Sequence, residues 1–167
     1  MQAESVIDGE RIHPFANASA AAIVFLFINT DCPIANRYAP TIARFYDRYR
    51  SQQVAFWLVY ADPAEDRVRI QEHLREYELK PPALRDPEHN LVAYCRATKT
   101  PQAVVFKSNG EVVYRGRIDD MFTDFGKRRA QATQHDLQDT LDTLLRGERI
   151  AFRETPVIGC DIPGTVP

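Results

Sequence analysis

The sequence predicts an α/β protein with a mixed central sheet and helices on both of its faces. Residues 23–28 and 54–60 are apolar at nearly every position, which is typical of strands that are covered on both sides. A helical pattern over residues 33–51 lies between them, and such a strand–helix–strand unit requires a right-handed parallel crossover. The pair Asn109-Gly110 between two later apolar runs predicts an antiparallel hairpin, which makes the sheet mixed.

Turn signals and periodicity predict the remaining elements. The pair Asp8-Gly9 indicates a small N-terminal hairpin. The other predicted elements are a helix over residues 67–77, a short strand near 83–84, a short helix over 89–97, and a last helix that starts at the capping-box-like Thr133-Gln134-His135-Asp136 and ends at Gly147. We predict one domain over residues 1–147, which includes the hairpin, and a Pro- and Gly-rich C-terminal tail over residues 148–167.

The composition of the chain limits the kinds of function that we expect for it. A chain of 167 residues with 44% hydrophobic and 26% charged residues fits one globular domain. The net charge of −2, with both signs interspersed, gives no basic face for nucleic acid. The longest apolar run is about half of a membrane span. We find no targeting signal, so we expect the cytoplasm for the chain as it stands and the periplasm if its start has been trimmed.

Cys32 is the candidate chemical centre. It lies on the polar turn Asn29-Thr30-Asp31 that follows the first buried strand, and the helical pattern begins directly after it. Pro33 suits the first helical turn because its missing N–H is not needed there. A thiol at a helix N-terminus meets free N–H groups and the positive end of the dipole, which favour the nucleophilic thiolate.

The chain has three cysteines and no CxxC pair, which argues against a disulfide-framework fold and against a thiolate zinc site. Cys160 lies in the tail, which could fold back over the Cys32 turn and supply a resolving thiol. The alternative is a free tail thiol. Cys95 follows an apolar helical run, so a packed core thiol is its first interpretation, although pairing with Cys32 stays open. Asn36 and Arg37 could contact a substrate or the thiolate, or could be ordinary residues of the helix surface.

The order of these features resembles the thioredoxin-like superfamily, in particular its redoxin (alkyl hydroperoxide reductase/thiol-specific antioxidant) group. The strand–turn–Cys32-Pro33 element, Thr100-Pro101 before a strand, and the hairpin over residues 104–116 carry the resemblance, which covers about residues 20–146. It implies a three-layer sandwich in which a cis-Pro101 faces the active cysteine. The strings over residues 31–38 and 116–120 are similar to a bacterial subgroup of redoxin-domain proteins.

Two departures from the related families are visible. A thioredoxin has a second cysteine three positions after the first, where this chain has Ala35. A peroxiredoxin resembles PxxxTxxC, and the positions of its Pro and Thr hold Phe25 and Asn29 here. The resolving partner of Cys32 must therefore come from elsewhere in the chain.

The leading hypothesis is a thiol-based redox protein, either a thiol–disulfide oxidoreductase or a thiol peroxidase-like antioxidant. Cys32 would attack a disulfide or peroxide, Cys160 would resolve the product, and an external thiol would restore the pair. We expect no cofactor. One alternative is a copper carrier that uses Cys32, Cys160 and His135, since thiolates and imidazole suit copper(I). Another is a docking domain that keeps the fold without the chemistry.

Overall fold

The computed structural model describes residues 2–16 and 19–165. Its helices are α1 (Pro33–Tyr49), α2 (Arg67–Glu76), α3 (Asn90–Cys95) and α4 (Asp136–Leu145). Its strands are β1 (Ala3–Ser5), β2 (Arg11–Ile12), β3 (Ala22–Ile28), β4 (Val54–Tyr60), β5 (Ala83–Arg85), β6 (Lys99–Thr100), β7 (Gln102–Lys107), β8 (Val112–Gly116), β9 (Phe122–Asp124), β10 (Lys127–Arg128), β11 (Arg153–Glu154) and β12 (Cys160–Asp161).

Eight of the strands form one mixed sheet in the order β11-β8-β7-β3-β4-β5-β1-β2. β3 and β4 are parallel from Ala22↔Val54 to Ile28↔Tyr60, and α1 forms the crossover between them. β3 also pairs antiparallel with β7, which continues through the Asn-Gly hairpin into β8. The α/β sandwich with a mixed central sheet, predicted from the sequence, is therefore confirmed.

The central strand β3 separates the core into two layers. All seven of its residues are buried. Val24, Leu26 and Ile28 belong to the layer that contains α1. Phe25 and Phe27 belong to the opposite layer, which contains α3. Successive side chains of a strand point to opposite faces, so an apolar run without alternation gives a strand with two buried faces.

Helix α1 places the Cys32 turn at the carboxyl end of β3. Cys32 is the N-cap residue and Pro33 occupies the first helical turn, as expected. The helix ends at Tyr49 and a 3₁₀ turn, Arg50–Gln52, completes the predicted segment. None of the described helices is long and apolar enough to cross a membrane.

The prediction of a capping box at Thr133 is wrong. Helix α4 begins at Asp136 with His135 as its N-cap residue. The Thr133 backbone N–H and hydroxyl both bond to the Asp120 carboxylate instead, at 2.6 and 2.5 Å. Thr133 therefore bonds to Asp120, which lies outside the helix, and does not cap α4.

The C-terminal segment runs back across the sheet. β11 joins the edge of the main sheet in parallel with β8. β12 then pairs antiparallel with β6, immediately before Pro101. This path brings Cys160 and Asp161 to the loop that contacts the Cys32 turn.

Candidate active site

Cys32 is buried beneath the loop that precedes β7. Its residue is only 1% exposed, and its Sγ donates a hydrogen bond to the Thr100 carbonyl oxygen at 3.1 Å. The Cys32 backbone N–H bonds to the Asn29 carbonyl at 3.3 Å, which closes the turn after β3. The thiol thus lies at the N-terminus of α1, where the dipole favours negative charge.

The Thr100–Pro101 peptide bond is cis and faces this thiol. Thr100 and Pro101 are both buried. Pro101 also borders a small cavity with Tyr38 and Ile158, so the site lies between α1, the β6–β7 turn and the tail.

The tail strand β12 lies directly against this turn. Cys160 pairs with Thr100 and Asp161 pairs with Lys99. A salt bridge of 2.5 Å joins the Lys99 ammonium group to the Asp161 carboxylate. The backbone N–H of the buried Ile162 donates to the Thr98 carbonyl at 3.0 Å. These contacts place Cys160 beside the carbonyl that accepts the Cys32 thiol.

Gly159 allows the tail to approach this closely. A Cβ atom at this position would lie 2.2 Å from the Thr100 carbonyl oxygen and 2.8 Å from its carbon. Real Cβ atoms essentially never come that near to backbone atoms. A larger residue would therefore push the tail away from the Cys32 turn.

Cys32 and Cys160 are both free thiols, and each is a neighbour of Thr100. Burial raises the pKa of Cys160 to about 12, and its hydrogen bond with Cys32 and the charge of Cys32 add to the shift. Cys160 is only half-buried, in contrast to Cys32. Cys160 is therefore protonated at neutral pH.

Cys95 lies away from this pair. It is fully buried in the core layer on the α3 side of the sheet, whereas Cys32 belongs to the α1 layer and Cys160 packs against that same layer. Burial raises the pKa of Cys95 to about 12. The interpretation of Cys95 as a packed thiol fits this position.

The buried carboxylate of Glu65 stabilises the turn that carries Cys32. Its carboxylate accepts a hydrogen bond from the Thr30 backbone N–H at 2.6 Å, and burial raises its pKa. The Asn29 side chain accepts from the Asp31 backbone N–H at 2.8 Å. Asp31 itself forms a 2.5 Å salt bridge with Arg69. This salt bridge offsets the negative charge that stands next to Cys32 in the sequence.

Asn36 joins the turn to a buried hydrogen-bond chain. Its Nδ2 donates to the Thr30 carbonyl at 2.9 Å and lies 3.3 Å from the Tyr77 hydroxyl, while its Oδ1 lies 2.8 Å from His73 Nε2. The Tyr60 hydroxyl lies 2.8 Å from His73 Nδ1. Because Oδ1 can only accept, His73 carries its proton on Nε2 and accepts from Tyr60 on Nδ1. Asn36 therefore positions the backbone of the Cys32 turn.

The other predicted site residues are surface positions. Pro33 and Arg37 are exposed, and Arg37 forms no hydrogen bond or ion pair with any described residue. Sequence reasoning missed Glu65, His73 and Gly159. A glycine directly before the tail cysteine and a histidine on the apolar side of α2 were the available signals.

The copper-site alternative is not supported by the geometry. His135 caps α4 and lies in a separate cleft with Arg44 and Gln138. Within residues 2–16 and 19–165, no three His, Cys, Asp or Glu side chains are grouped so that they could hold a metal ion. The structure does not bring Cys32, Cys160 and His135 together, so the copper site expected from the sequence is not formed by these residues.

Solved structures share this architecture over 88–100% of the chain. A hypothetical protein from Sinorhizobium meliloti superimposes with a TM-score of 0.85 at 23% identity, covering 100% of this chain and 92% of its own. An uncharacterized conserved protein from Geobacillus kaustophilus gives 0.84 at 24% identity, covering 100% and 89%. A secreted Mycobacterium tuberculosis disulfide oxidoreductase gives 0.60 at 18% identity, covering 88% and 95%. These similarities show a shared thioredoxin-like fold.

The chain also matches the model of one protein family. No curated protein matches the chain. The model of the AhpC/TSA family matches residues 7–115, which is more than half of the chain and includes the Cys32 turn and the cis-Pro101 loop. The chain therefore belongs to the AhpC/TSA family.

Proposed function

We propose that this protein is a thiol–disulfide oxidoreductase in which Cys32 is the nucleophile and Cys160 is the resolving cysteine. Family membership supports a thiol redox role in general. The specific assignment depends on one observation: β12 pairs Cys160 with Thr100, and the Thr100 carbonyl accepts the Cys32 thiol. Two cysteines from distant parts of the sequence thus meet at one residue, Thr100.

The proposed first step is attack by the Cys32 thiolate on one sulfur of a substrate disulfide. A Cys32–substrate disulfide forms and the other substrate thiolate leaves. The N-terminus of α1 favours the attacking anion, and the salt bridge between Asp31 and Arg69 reduces the opposing charge nearby.

The proposed second step is attack by Cys160, after loss of its proton to solvent, on the Cys32 sulfur. The Cys32–Cys160 disulfide forms and the second substrate thiolate leaves. The substrate has then gained two electrons, and the protein has lost two. An external thiol reductant returns both cysteines to the thiol form by the reverse exchange.

Access to Cys32 requires movement of the tail, since Cys32 is 1% exposed beneath it. β12 is held to β6 by two residue pairs, the Lys99–Asp161 salt bridge and the Ile162–Thr98 hydrogen bond, and release of these contacts would expose the thiol. The same burial supports a second candidate, reduction of a small peroxide. The Cys32 thiolate would take one oxygen to form a sulfenic acid, an alcohol or water would leave, and Cys160 would displace water to form the disulfide.

Turnover of cysteine variants tests this proposal. Glutathione disulfide and hydrogen peroxide are supplied in separate assays with dithiothreitol as reductant. Cys32→Ser should reduce both rates to the uncatalysed background, and Cys160→Ser, treated with each oxidant without dithiothreitol, should accumulate a mixed disulfide or sulfenic acid on Cys32. Cys95→Ser is the matched control and should keep the wild-type rate. Full activity in Cys32→Ser, or no wild-type activity with either oxidant, would contradict the proposal.

A further inference from the structure

A cleft separate from the thiol pair lies between α1 and the segment over residues 119–138. Its volume is about 530 Å³, within the usual range of roughly 300–1,000 Å³ for small-molecule sites. The residues that line it are Thr41, Arg44, Phe45, Arg48, Tyr49, Asp119, Met121, Ala130, Gln131, Ala132, His135 and Gln138. The cysteines are not among them.

The outer wall of this cleft is held in place by Asp120. Its carboxylate accepts the backbone N–H groups of Thr133 and Gln134 at 2.6 and 2.9 Å. Hydrogen bonds from Thr133 and Gln134 keep the pKa of Asp120 well below its usual range, so it remains charged. The Arg129 backbone N–H also bonds to the Met121 carbonyl at 2.8 Å. The cleft is therefore preformed.

The floor of the cleft is apolar. Phe45 and Met121 pack partly buried against the core, so each also has a face toward the cleft. The Tyr49 ring lies beside that of Phe45, with centroids 5.8 Å apart. Its hydroxyl already bonds to Asp142 at 2.6 Å. The floor can therefore accept an aryl or alkyl group without leaving a polar atom unpaired.

The rim of the cleft has unused positive charge. The Arg44 guanidinium bonds to the Thr41 hydroxyl at 2.8 Å and has no acidic partner among the described residues. Arg48 lies one turn further and shares its charge with Asp142 at 3.0 Å. Asp119 is the carboxylate of the lining, and it already accepts from the Tyr38 hydroxyl and the Met121 N–H at 2.5 and 2.8 Å. The available group at the rim is thus a cation.

We propose that this cleft binds a small amphipathic anion, a carboxylate or phosphate that carries an aryl or short alkyl group. Arg44 would bind the anionic group, because a guanidinium fits such oxygens in a bidentate geometry. Phe45 and Met121 would contact the apolar group. Charge complementarity and an apolar floor together select this ligand class over a neutral molecule or a bare inorganic ion.

Amide chemical shifts of the ¹⁵N-labelled full chain, titrated with four probes, test this site. Phenyl phosphate and benzoate should shift residues 41–49 and 119–138, and the stronger of the two identifies the preferred anionic group. Benzyl alcohol and inorganic phosphate should bind at least about tenfold more weakly, since each lacks one of the two contacts. Equal binding of either control, shifts confined to other surfaces, or no shifts at all would overturn the proposal.

Two arginine variants locate the anion. Arg44→Gln should weaken the better aryl anion about tenfold, which corresponds to loss of one charge-assisted hydrogen bond. Arg37→Gln is the matched control, because Arg37 is an exposed arginine of the same helix that lies outside the cleft and has no acidic partner within residues 2–16 and 19–165. Equal weakening by the two variants would show only a general effect of charge and would contradict a site at Arg44.

Discussion

At the residue scale, the position of Cys32 depends on side chains that are distant in sequence. Glu65 accepts from the Thr30 N–H and Asn36 donates to the Thr30 carbonyl, so the two peptide groups that flank the Thr30 Cα are both fixed. Asn36 is oriented in turn by His73. This series of hydrogen bonds requires neutral His73, because its Nδ1 must accept from the Tyr60 hydroxyl. Burial lowers the pKa of His73 to about 4.

Acid should therefore destabilise the protein through His73. An unfolded histidine binds its proton near pH 6.5 and the folded one near pH 4, so the contribution is present above pH 6.5 and is lost as the pH falls. By pH 5 the loss should be roughly 2 kcal/mol. The free energy of unfolding, measured by urea denaturation between pH 7 and pH 5, should fall less in His73→Gln than in the wild type.

His13→Gln is the control for this measurement, because His13 lies near the N-terminus and is exposed. It should keep the wild-type pH dependence. If His73→Gln kept it as well, His73 would not be the group that titrates.

The sequence allowed us to identify Cys32, but not the side chains that hold its turn in place. An apolar strand, a polar turn and a proline mark a helix start around one cysteine through local signals. Glu65 and His73 come from other elements, and their roles arise from tertiary contacts that no spacing encodes. The predicted interaction of Asn36 with a substrate or thiolate was natural for a residue one helical turn from Cys32, yet its side chain is bonded to Thr30, His73 and Tyr77.

At the element scale, the decisive contact is β12 on β6. Gly159→Ala should push this strand outward, because the added Cβ would lie 2.2 Å from the Thr100 carbonyl oxygen. With less burial, the pKa of Cys160 should fall from about 12 toward its ordinary value. Alkylation of Cys160 by N-ethylmaleimide at pH 7.5 should therefore be at least about tenfold faster, since each unit of pKa changes the thiolate fraction tenfold.

Gly126→Ala serves as the comparison, since a Cβ there meets nothing within 4 Å and the strain from its φ of +73° arises in the β9–β10 hairpin rather than at the tail. It should leave Cys160 alkylation unchanged. An unchanged rate in Gly159→Ala would mean that the close approach of the tail does not control the thiol.

The elements with strong periodicity could be predicted and the tail strands could not. β3, β4, α1 and the Asn-Gly hairpin follow from apolar patterns and turn chemistry over short windows. β11 and β12 are two residues each, and their pairing depends on where the rest of the fold places β8 and β6. The start of α4 was predicted too early for the same reason, since Thr133 bonds to Asp120.

At the scale of the whole molecule, stability depends on a sheet covered on both sides. Phe25 lies in the centre of β3, is fully buried, and packs against Phe15 and Phe106 at ring centroid distances of 5.2 and 5.9 Å. Phe25→Ala should lower the free energy of unfolding by about 3–5 kcal/mol through lost burial and a cavity. Chemical denaturation measures this change.

Exposed Phe125→Ala is the matched control, with 58% of the residue accessible. It should change stability by less than about 0.5 kcal/mol. Comparable losses in the two variants would contradict the two-layer core. The global fold could be predicted because long buried strands, a crossover helix and a hairpin leave few allowed topologies.

Disulfide mapping by mass spectrometry across glutathione redox buffers tests whether Cys32 and Cys160 form a redox pair. We expect one two-electron transition from dithiol to a Cys32–Cys160 disulfide, with Cys95 reduced throughout. A Cys32 that stays a free thiol while accessible thiols are oxidised, or a disulfide that joins Cys32 to Cys95, would contradict it.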